Sequence, residues 1–481
     1  MGIFVFVNTH PIRPYDFWWH ITIGREILTT GRIPLVDIFS YTANGQAYPS
    51  YQMYWLMEIF LFSIYRLGGS ALVIFAHSLI ICSAYGVIFW ICKKASQSWR
   101  IAAFGLLFAA ALGLNDWNVR PQGITFLLAS LFLLAIYEYQ ATHRWSWLVV
   151  FPSIMLIWVN SHGTFLIGLV LIGIWLGQII WDVIKLRINN QQTDVKKYLL
   201  APFLTSGITI LICLFNPRGL GIINYLKTLI GSSVVQNLVT EWAPPTFNTL
   251  IGTIFLVSLM GSAIVLALSP RRPNFFQITT FLVFGLLGLK TSRGSVWFGL
   301  AMAPILAQHI SFMVNEFQKE NSHTTRSEGS QLLNIIFCSV LVVIGVITLP
   351  WFKSSLPLPR EKAGLLSTET PVEATQVLLA ENPPGQIFNA DSFGSYLIWA
   401  AYPNYQVFID PRIDLYPEKI WMDYLVISNA AGDWDGRLKD YGVNTLMLSP
   451  DLQPKLVKAV LESGDWNLFY KDNSTLLFKR K

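Results

Sequence analysis

Charged residues are scarce in this chain. Only 13% of its 481 residues are Asp, Glu, Lys or Arg, and 53% are hydrophobic, whereas soluble domains contain about 25% charged residues. The mean hydropathy is +0.47. This composition excludes an ordinary soluble protein and predicts a polytopic membrane protein. In that setting we interpret the net charge of +6 as basic cytoplasmic loops near anionic lipids, and we expect no nucleic-acid partner.

Cysteine and ligand-binding signatures are also scarce. The four cysteines lie in or at the end of apolar stretches, without a CxxC pair, which predicts neither a disulfide framework nor a zinc site. The chain has no G-x-G-x-x-G motif and no P-loop, so nucleotide binding has no support. It also has no convincing internal repeat and few charges in the middle of its apolar segments, which disfavours a transporter.

Long apolar runs are abundant instead. They predict a polytopic α-helical membrane domain over residues 1–350 with about ten transmembrane helices. A shorter piece, Tyr54–Leu67, carries Glu58 and Arg66 and is more typical of an interfacial helix. The predicted spans are Ser70–Cys92, Ile101–Leu114, Gly123–Tyr139, Trp147–Val159, Thr164–Ile184, Leu199–Phe215, Leu250–Leu268, Phe275–Leu289, Ser295–Val314 and Leu332–Leu349.

Basic residues predict the orientation of these spans. One set of alternate loops is richer in Lys and Arg, and is therefore predicted to be cytoplasmic. The segment before the first span, about residues 8–69, and the C-terminal tail are then extracytoplasmic. The apolar residues that open the chain are too few to cross a membrane, and we expect a first helix to be missing there.

Unusual polar residues fall on the predicted outer face. A phosphate held there would need arginine, whose guanidinium binds it in a bidentate manner, and a sugar hydroxyl would need a carboxylate base. We expect catalytic roles for Asp16, His20 and Asp37, and substrate binding by Arg120, Asn160, His162, Glu241 and Arg293.

Each of these residues also has a structural interpretation. Trp18 and Trp19 could anchor the loop at the lipid headgroups or stack on sugar rings. Asp37 could be a turn or cap residue, and Glu241 could pair with Arg218 or Arg293. His20 could orient a loop, Arg120 could begin a helix, and Asn160 with His162 could form only a turn.

Several motifs together resemble a known superfamily. The stretch D-F-W-W-H-I-T-I-G-R-E-I, which begins at Asp16, resembles the first outer loop of bacterial GT-C glycosyltransferases akin to protein O-mannosyltransferases and the lipid A aminoarabinose transferase. Further similar pieces are R-P-Q at Arg120, W-V-N-S-H-G at Trp158, N-P-R-G at Asn216, E-W-A-P-P at Glu241, S-R-G at Ser292, D-S-F-G at Asp391 and V-F-I-D-P-R-I-D-L-Y at Val407.

The resemblance implies a polyprenyl-phosphate-linked sugar donor and inversion at the anomeric carbon. It implies that Asp16 is the base for the acceptor hydroxyl, with Asp37 as the candidate second acidic residue. Arg120 and Arg293 are candidates for binding the donor phosphate, although no motif position fixes that assignment. The acceptor could be a lipid, a glycan or a protein. The first loop lacks the adjacent Asp-Glu pair of the O-mannosyltransferases, so their acceptor chemistry does not transfer. A divalent metal ion is used by some members, and this sequence does not require one.

The composition changes near Trp351. Residues 351–370 are predicted to be a linker, and residues 371–481 an extracytoplasmic α/β domain. Its helices are predicted at Val372–Ala380, Ser392–Ala401, Asp435–Tyr441 and Leu452–Glu462, and its strands at Gln386–Phe388, Val407–Ile409, Thr445–Leu448, Trp466–Lys471 and Ser474–Phe478. Asp391, Asp410, Arg412 and Asp414 fall near strand ends, where acceptor recognition and local salt bridging are both open.

The sequence thus favours a glycosyltransferase of the bacterial cytoplasmic (inner) membrane. Two alternatives stay open: a transporter or flippase for lipid-linked glycans, and a non-catalytic assembly protein that uses its tail for docking. Loss of activity in an Asp16→Asn protein that folds would favour the enzyme.

Overall fold

The computed structural model describes residues 1–189, 195–224, 240–320 and 330–481. All ten predicted apolar segments are helical within the described residues. The helices of the N-terminal part are α1 Gly2–Thr9, α2 Phe17–Thr30, α3 Tyr51–Ser96, α4 Trp99–Gly113, α5 Gly123–Thr142, α6 Ser146–Val159, α7 Leu166–Ile188, α8 Val195–Ile212, α9 Leu250–Leu268, α10 Phe275–Lys290, α11 Gly294–Glu320 and α12 Gln331–Ile347.

Helix α3 consists of two helices joined at a kink. Gly68 and Gly69 leave the helical region, and Gly69 has a φ of 60°, which costs a glycine little because it has no Cβ atom. The kink separates residues 51–67 from the first predicted span. The prediction that Tyr54–Leu67 is a distinct helical piece is therefore confirmed, while its position at a membrane interface stays a prediction.

The bundle has the surface of a membrane protein. Five helices in the described part of the chain are long and apolar enough to cross a bilayer, namely Tyr51–Ser96, Gly123–Thr142, Gly163–Ile188, Leu250–Leu268 and Gly294–Gln318. Large apolar side chains are exposed along α9 and α12, including Leu250 (74%) and Leu332 (66%). A contiguous apolar exterior of this kind requires lipid to cover it. The chain is therefore a polytopic helical membrane protein, and the count of ten crossings stays a prediction.

The C-terminal part forms a small α/β unit. Its sheet has the strand order β1-β2-β4-β3, in which β1 and β2 are parallel and the other pairs are antiparallel. The elements are α13 Arg360–Ala363, α14 Val372–Glu381, β1 Gln386–Asn389, α15 Asp391–Ala400, α16 Glu418–Ser428, α17 Trp434–Asp440, β2 Val443–Leu448, α18 Pro454–Ser463, β3 Trp466–Lys471 and β4 Leu476–Arg480.

Two predictions for this unit need correction. Val407–Ile409 is not a strand of the sheet: Val407 makes only an isolated bridge to Ser40, because its backbone partners belong to the first loop. Its N–H donates to the carbonyl of Phe39 at 3.0 Å. The helix α16, Glu418–Ser428, was not predicted, and it packs Ile420, Tyr424 and Ile427 into the core.

The predicted linker is ordered and pairs with the start of the chain. It contains a 3-10 helix, Pro350–Ser355, and the short α13. The N–H of Ile12 donates to the carbonyl of Leu365 at 2.9 Å, and the N–H of Ser367 donates to the carbonyl of Ile12 at 2.8 Å. These bonds hold the residues just before Asp16 against the C-terminal part.

The first loop and the C-terminal unit share one hydrophobic core. Trp19, Phe39 and Tyr51 from the loop belong to the same buried cluster as Phe388 and Phe408. The boundaries at residues 350 and 371 stay predictions, but this core shows that the two regions are packed as one body.

A buried ion network lies within that shared core. Arg412 donates through Nη1 to Asp37 and through Nη2 to Asp410, each at 2.6 Å, and all three side chains are fully buried. Tyr51 and Tyr416 complete the network through contacts with Arg412 and Asp410. Breaking such a group by removing one partner is strongly destabilising, because it leaves a buried charge uncompensated.

Candidate active site

A cavity of about 530 Å³ lies where the loops of the bundle meet the C-terminal unit. Its volume is within the range of about 300–1,000 Å³ that is usual for ligand sites. The walls come from the first loop, from residues 118–122, and from the C-terminal segment, with one or two residues from each of three other loops. The polar residues lining it are Arg13, Tyr15, Asp16, His20, Tyr48, Tyr54, Asn118, Arg120, Gln122, His162, Glu241, Arg293, Asp391, Arg412 and Asp414.

Asp16 is at the N-cap position of α2, yet its side chain makes no capping hydrogen bond. The carboxylate lies 3.4 Å from Nη1 of Arg120 instead, and its side chain is 29% exposed. Burial raises the pKa of Asp16, and Glu241 adds to this, while Arg120 and Arg293 act against it. A carboxylate with a raised pKa is a stronger base, provided that it stays ionised.

Arg120, Glu241 and Arg293 form a compact charged cluster beside Asp16. Nη2 of Arg120 lies 3.1 Å from Glu241, and Nε of Arg293 donates to Glu241 at 2.6 Å. A backbone hydrogen bond joins the loop that carries Glu241 to the loop that carries Arg293, since the N–H of Arg293 donates to the carbonyl of Glu241 at 3.2 Å. Burial alone would raise the pKa of Glu241, but Arg293 and Arg120 outweigh it and lower that pKa to about 2.

His20 is buried behind Asp16 on the same helix. Its Nδ1 lies 2.9 Å from Oε1 of Glu58, which is fully buried on α3. Burial lowers the pKa of His20 well below its usual value, and His162 and Arg120 lower it further. Burial thus favours the neutral imidazole, and it also raises the pKa of Glu58, so that the two side chains share one proton-mediated hydrogen bond between Nδ1 and Oε1. Glu58 is a partner that sequence reasoning missed; its position in an otherwise apolar segment was the available signal.

His162 is fixed by the turn that it begins. Its Nδ1 accepts a hydrogen bond from the N–H of Thr164 at 3.1 Å, which leaves the ring proton on Nε2. Burial, with Arg293 and Arg120 nearby, lowers the pKa of His162 to about 3. His162 thus serves as a neutral hydrogen-bonding group in the cavity wall.

Asp37 and Asn160 do not line the cavity. The Asp37 carboxylate forms an ion pair with Arg412. It also accepts hydrogen bonds from the N–H and the hydroxyl of Ser40, at 2.9 and 2.6 Å. Asn160 donates to the carbonyls of Leu156 and Phe215 and accepts from Trp55. Since these bonds occupy their polar groups, the proposed site no longer includes either residue; the turn interpretation of Asp37 agrees with the structure.

The two tryptophans are buried in protein. Trp18 is 1% exposed and Trp19 is 4% exposed. Trp18 packs edge-on against Tyr396 of the C-terminal unit, and Trp19 lines the cavity beside His20. The interpretation that they anchor the loop in lipid headgroups disagrees with this burial, since Trp18 packs against Tyr65 and Tyr396 and Trp19 packs against Tyr48 and Tyr54.

No metal site is evident in the described ranges. They contain no group of three or more His, Cys, Asp or Glu side chains arranged to hold a metal ion. The carboxylates of the cavity are instead engaged by arginine, tyrosine and serine side chains.

Comparisons with known proteins define the fold class. No family model matches the chain, and no curated protein matches it. Among solved structures, the chain is similar to ArnT from Cupriavidus metallidurans bound to undecaprenyl phosphate, with a TM-score of 0.50 and 13% identity over 99% of this chain and 95% of that one. The apo state of the same protein gives a TM-score of 0.52 at 12% identity, with the same coverage. The chain thus has a fold similar to that of ArnT.

Proposed function

We propose that the protein is an inverting glycosyltransferase that moves a sugar from a polyprenyl-phosphate-linked donor to an acceptor hydroxyl. The observation that carries this proposal is the cavity in which the Asp16 carboxylate adjoins the Arg120–Glu241–Arg293 cluster. The fold supports it, since a structure with the same fold holds undecaprenyl phosphate.

Asp16 is the proposed base. It accepts the proton of the acceptor hydroxyl while that oxygen forms a bond to the anomeric carbon of the donor. The bond from this carbon to the phosphate oxygen breaks on the opposite side, which inverts the configuration. The raised pKa of Asp16 suits the role, because a more basic carboxylate has a greater driving force for accepting a proton.

The arginines are the proposed phosphate ligands. Arg120 and Arg293 use part of their N–H groups on Glu241, and Nη1 of Arg120 also contacts Asp16. Their other N–H groups are the proposed donors to the phosphate that leaves as polyprenyl phosphate. Arg13 also lines the cavity and is exposed. Fixed cations stabilise the charge that develops on the leaving group. Glu241 then acts as a positioning residue that keeps both guanidinium groups in place.

The proposed setting is the bacterial cytoplasmic membrane. Membrane lipids surround the apolar exterior, and the cavity with the C-terminal unit faces the extracytoplasmic side, as the loop charges predict. The acceptor is a lipid, glycan or protein that reaches this side.

The first experiment compares cell-surface glycans and glycolipids by mass spectrometry in a strain without the gene. The strain is complemented with wild type, with Asp16→Asn, or with Asp451→Asn, an exposed carboxylate outside the cavity, all at equal membrane expression. We expect one sugar to disappear in the deletion and to return with wild type and Asp451→Asn only. Recovery with Asp16→Asn would contradict the base assignment and favour a transport or assembly role.

A further inference from the structure

The C-terminal unit supplies part of the cavity wall. Asp391 comes from the first turn of α15, and Asp414 comes from the turn after Ile409; both line the cavity. Neither belongs to the Asp16–arginine cluster, and the chemistry proposed above uses neither of them.

Each of these carboxylates is held in place by hydroxyl groups. Asp414 accepts from Tyr48 and from Ser50, at 2.9 Å each, and is still exposed. Asp391 accepts from Tyr424 at 3.2 Å, and its own N–H donates to that tyrosine oxygen at 3.0 Å. A carboxylate has about four lone-pair directions, so both groups keep acceptor capacity for a ligand.

The groups that this wall offers to a ligand are carboxyl groups, and burial raises the pKa of both. Arg412 lines the same wall, but its guanidinium is used by Asp37, Asp410 and Tyr51. This wall therefore offers mainly hydrogen-bond acceptors, whereas Arg120 and Arg293 offer cations that attract an anionic group. The two sides of the cavity thus select for opposite properties: a phosphate on one, and a group rich in hydrogen-bond donors on the other.

The position of Asp391 links this wall to the acceptor. Asp391 and Arg13 both lie within electrostatic range of Tyr15, the residue before Asp16. Asp16, Asp391 and Asp414 line one cavity, so an acceptor whose hydroxyl reaches Asp16 has its neighbouring groups in that cavity, where Asp391 and Asp414 can accept hydrogen bonds from them.

We infer that Asp391 and Asp414 form an acceptor subsite that hydrogen-bonds neighbouring hydroxyl groups of a sugar without negative charge. This rests on the proposed function and names the substrate class of the same cavity: the acceptor is a glycan or glycolipid whose reacting sugar presents such hydroxyls. Asp391 and Asp414 determine acceptor affinity, and they take no part in proton transfer.

The test separates acceptor binding from donor binding. Membranes with wild type, the Asp391→Asn/Asp414→Asn double variant, or an Asp440→Asn/Asp451→Asn control in exposed positions outside the cavity are supplied with the glycolipid extract of the deletion strain. We expect the double variant to raise the apparent KM for the extract about tenfold or more, since two hydrogen bonds to charged groups are weakened. Its kcat and its affinity for undecaprenyl phosphate should stay within about twofold.

Each outcome decides between the two proposals. If wild type transfers no sugar, the proposed function fails and the subsite fails with it. If wild type is active and the double variant has an unchanged KM, the subsite is wrong and the function stands. A loss of undecaprenyl phosphate affinity would place the two residues on the donor side, which also overturns the inference. Should the double variant misfold, the two single variants are compared in the same way.

Discussion

At the residue scale, the charges around Asp16 control its ability to act as a base. Arg120 lowers the pKa of Asp16 and Glu241 raises it, while burial raises it most. A protonated Asp16 cannot accept a proton, so we expect the transfer rate to fall as the pH drops through this raised pKa, above the ordinary value of 3.8.

Two substitutions should shift this fall of the rate at low pH, the acidic limb of the pH–rate profile, in opposite directions. Arg120→Gln removes a cation that favours the ionised form, so the limb moves to higher pH; Glu241→Gln removes an anion that disfavours it, so the limb moves to lower pH. The measurement is kcat/KM against pH. Shifts of the same sign in both variants would show that the limb belongs to another group.

The arginines permit a second prediction at this scale. Arg120→Lys and Arg293→Lys keep the charge but lose the planar fork that binds phosphate in a bidentate manner. We expect each to weaken binding of undecaprenyl phosphate about tenfold, measured with the purified protein in detergent. Arg144→Lys, at an exposed site outside the cavity, is the matched control, and equal affinities in all three would remove both arginines from the phosphate site.

At the element scale, the contact between α2 and α3 positions Asp16 and His20. Gly24 makes this contact: a Cβ atom there would lie 2.1 Å from the carbonyl oxygen of Glu58. Gly24→Ala would push the helices apart, and we expect a loss of about 1–3 kcal/mol of stability with reduced activity. Thermal unfolding in detergent measures it. Gly86→Ala, on α3 with nothing within 4 Å, should be neutral or stabilising.

The sequence predicts helices and strands better than it predicts contacts between residues that are far apart in the chain. The helices of the bundle follow from apolar runs, and β3 with β4 follows from two strand signals around a short turn. Val407–Ile409 was misread because an apolar V-F-I run signals burial, whereas its pairing partner, Ser40, lies hundreds of residues away. Asp37 was ambiguous for the same reason: its ion-pair partner, Arg412, is 375 residues further on, and no local pattern encodes that contact.

The candidate site could be predicted where charged residues and histidines interrupt or flank apolar segments of the sequence. Asp16, His20, Arg120, His162, Glu241 and Arg293 all line one cavity, although their roles stay predictions. Glu58 and Tyr48 could not be assigned from sequence, since only the packing of α3 and the first loop shows which way they face.

At the scale of the whole molecule, the Asp37–Arg412–Asp410 network joins the first loop to the C-terminal unit. Arg412→Met leaves two buried carboxylates without a counterion, which costs about 3–5 kcal/mol. We expect the C-terminal unit to detach and limited proteolysis to cut within residues 351–370. Arg437→Met breaks a partly exposed pair with Asp423 and should cost no more than about 1 kcal/mol. Equal protease resistance in both variants would contradict the role of the network.

The core shared by the first loop and the C-terminal unit also determines the order in which parts of the molecule can fold during synthesis. The backbone N–H of Trp19 donates to the hydroxyl of Ser395, 376 residues later, so the first loop cannot complete its contacts until Ser395 has been synthesised. Such long-range contacts form late in folding. A chain that stops before Ser395 can contain the helices of the bundle but lacks the C-terminal wall of the cavity, so we expect it to be inactive.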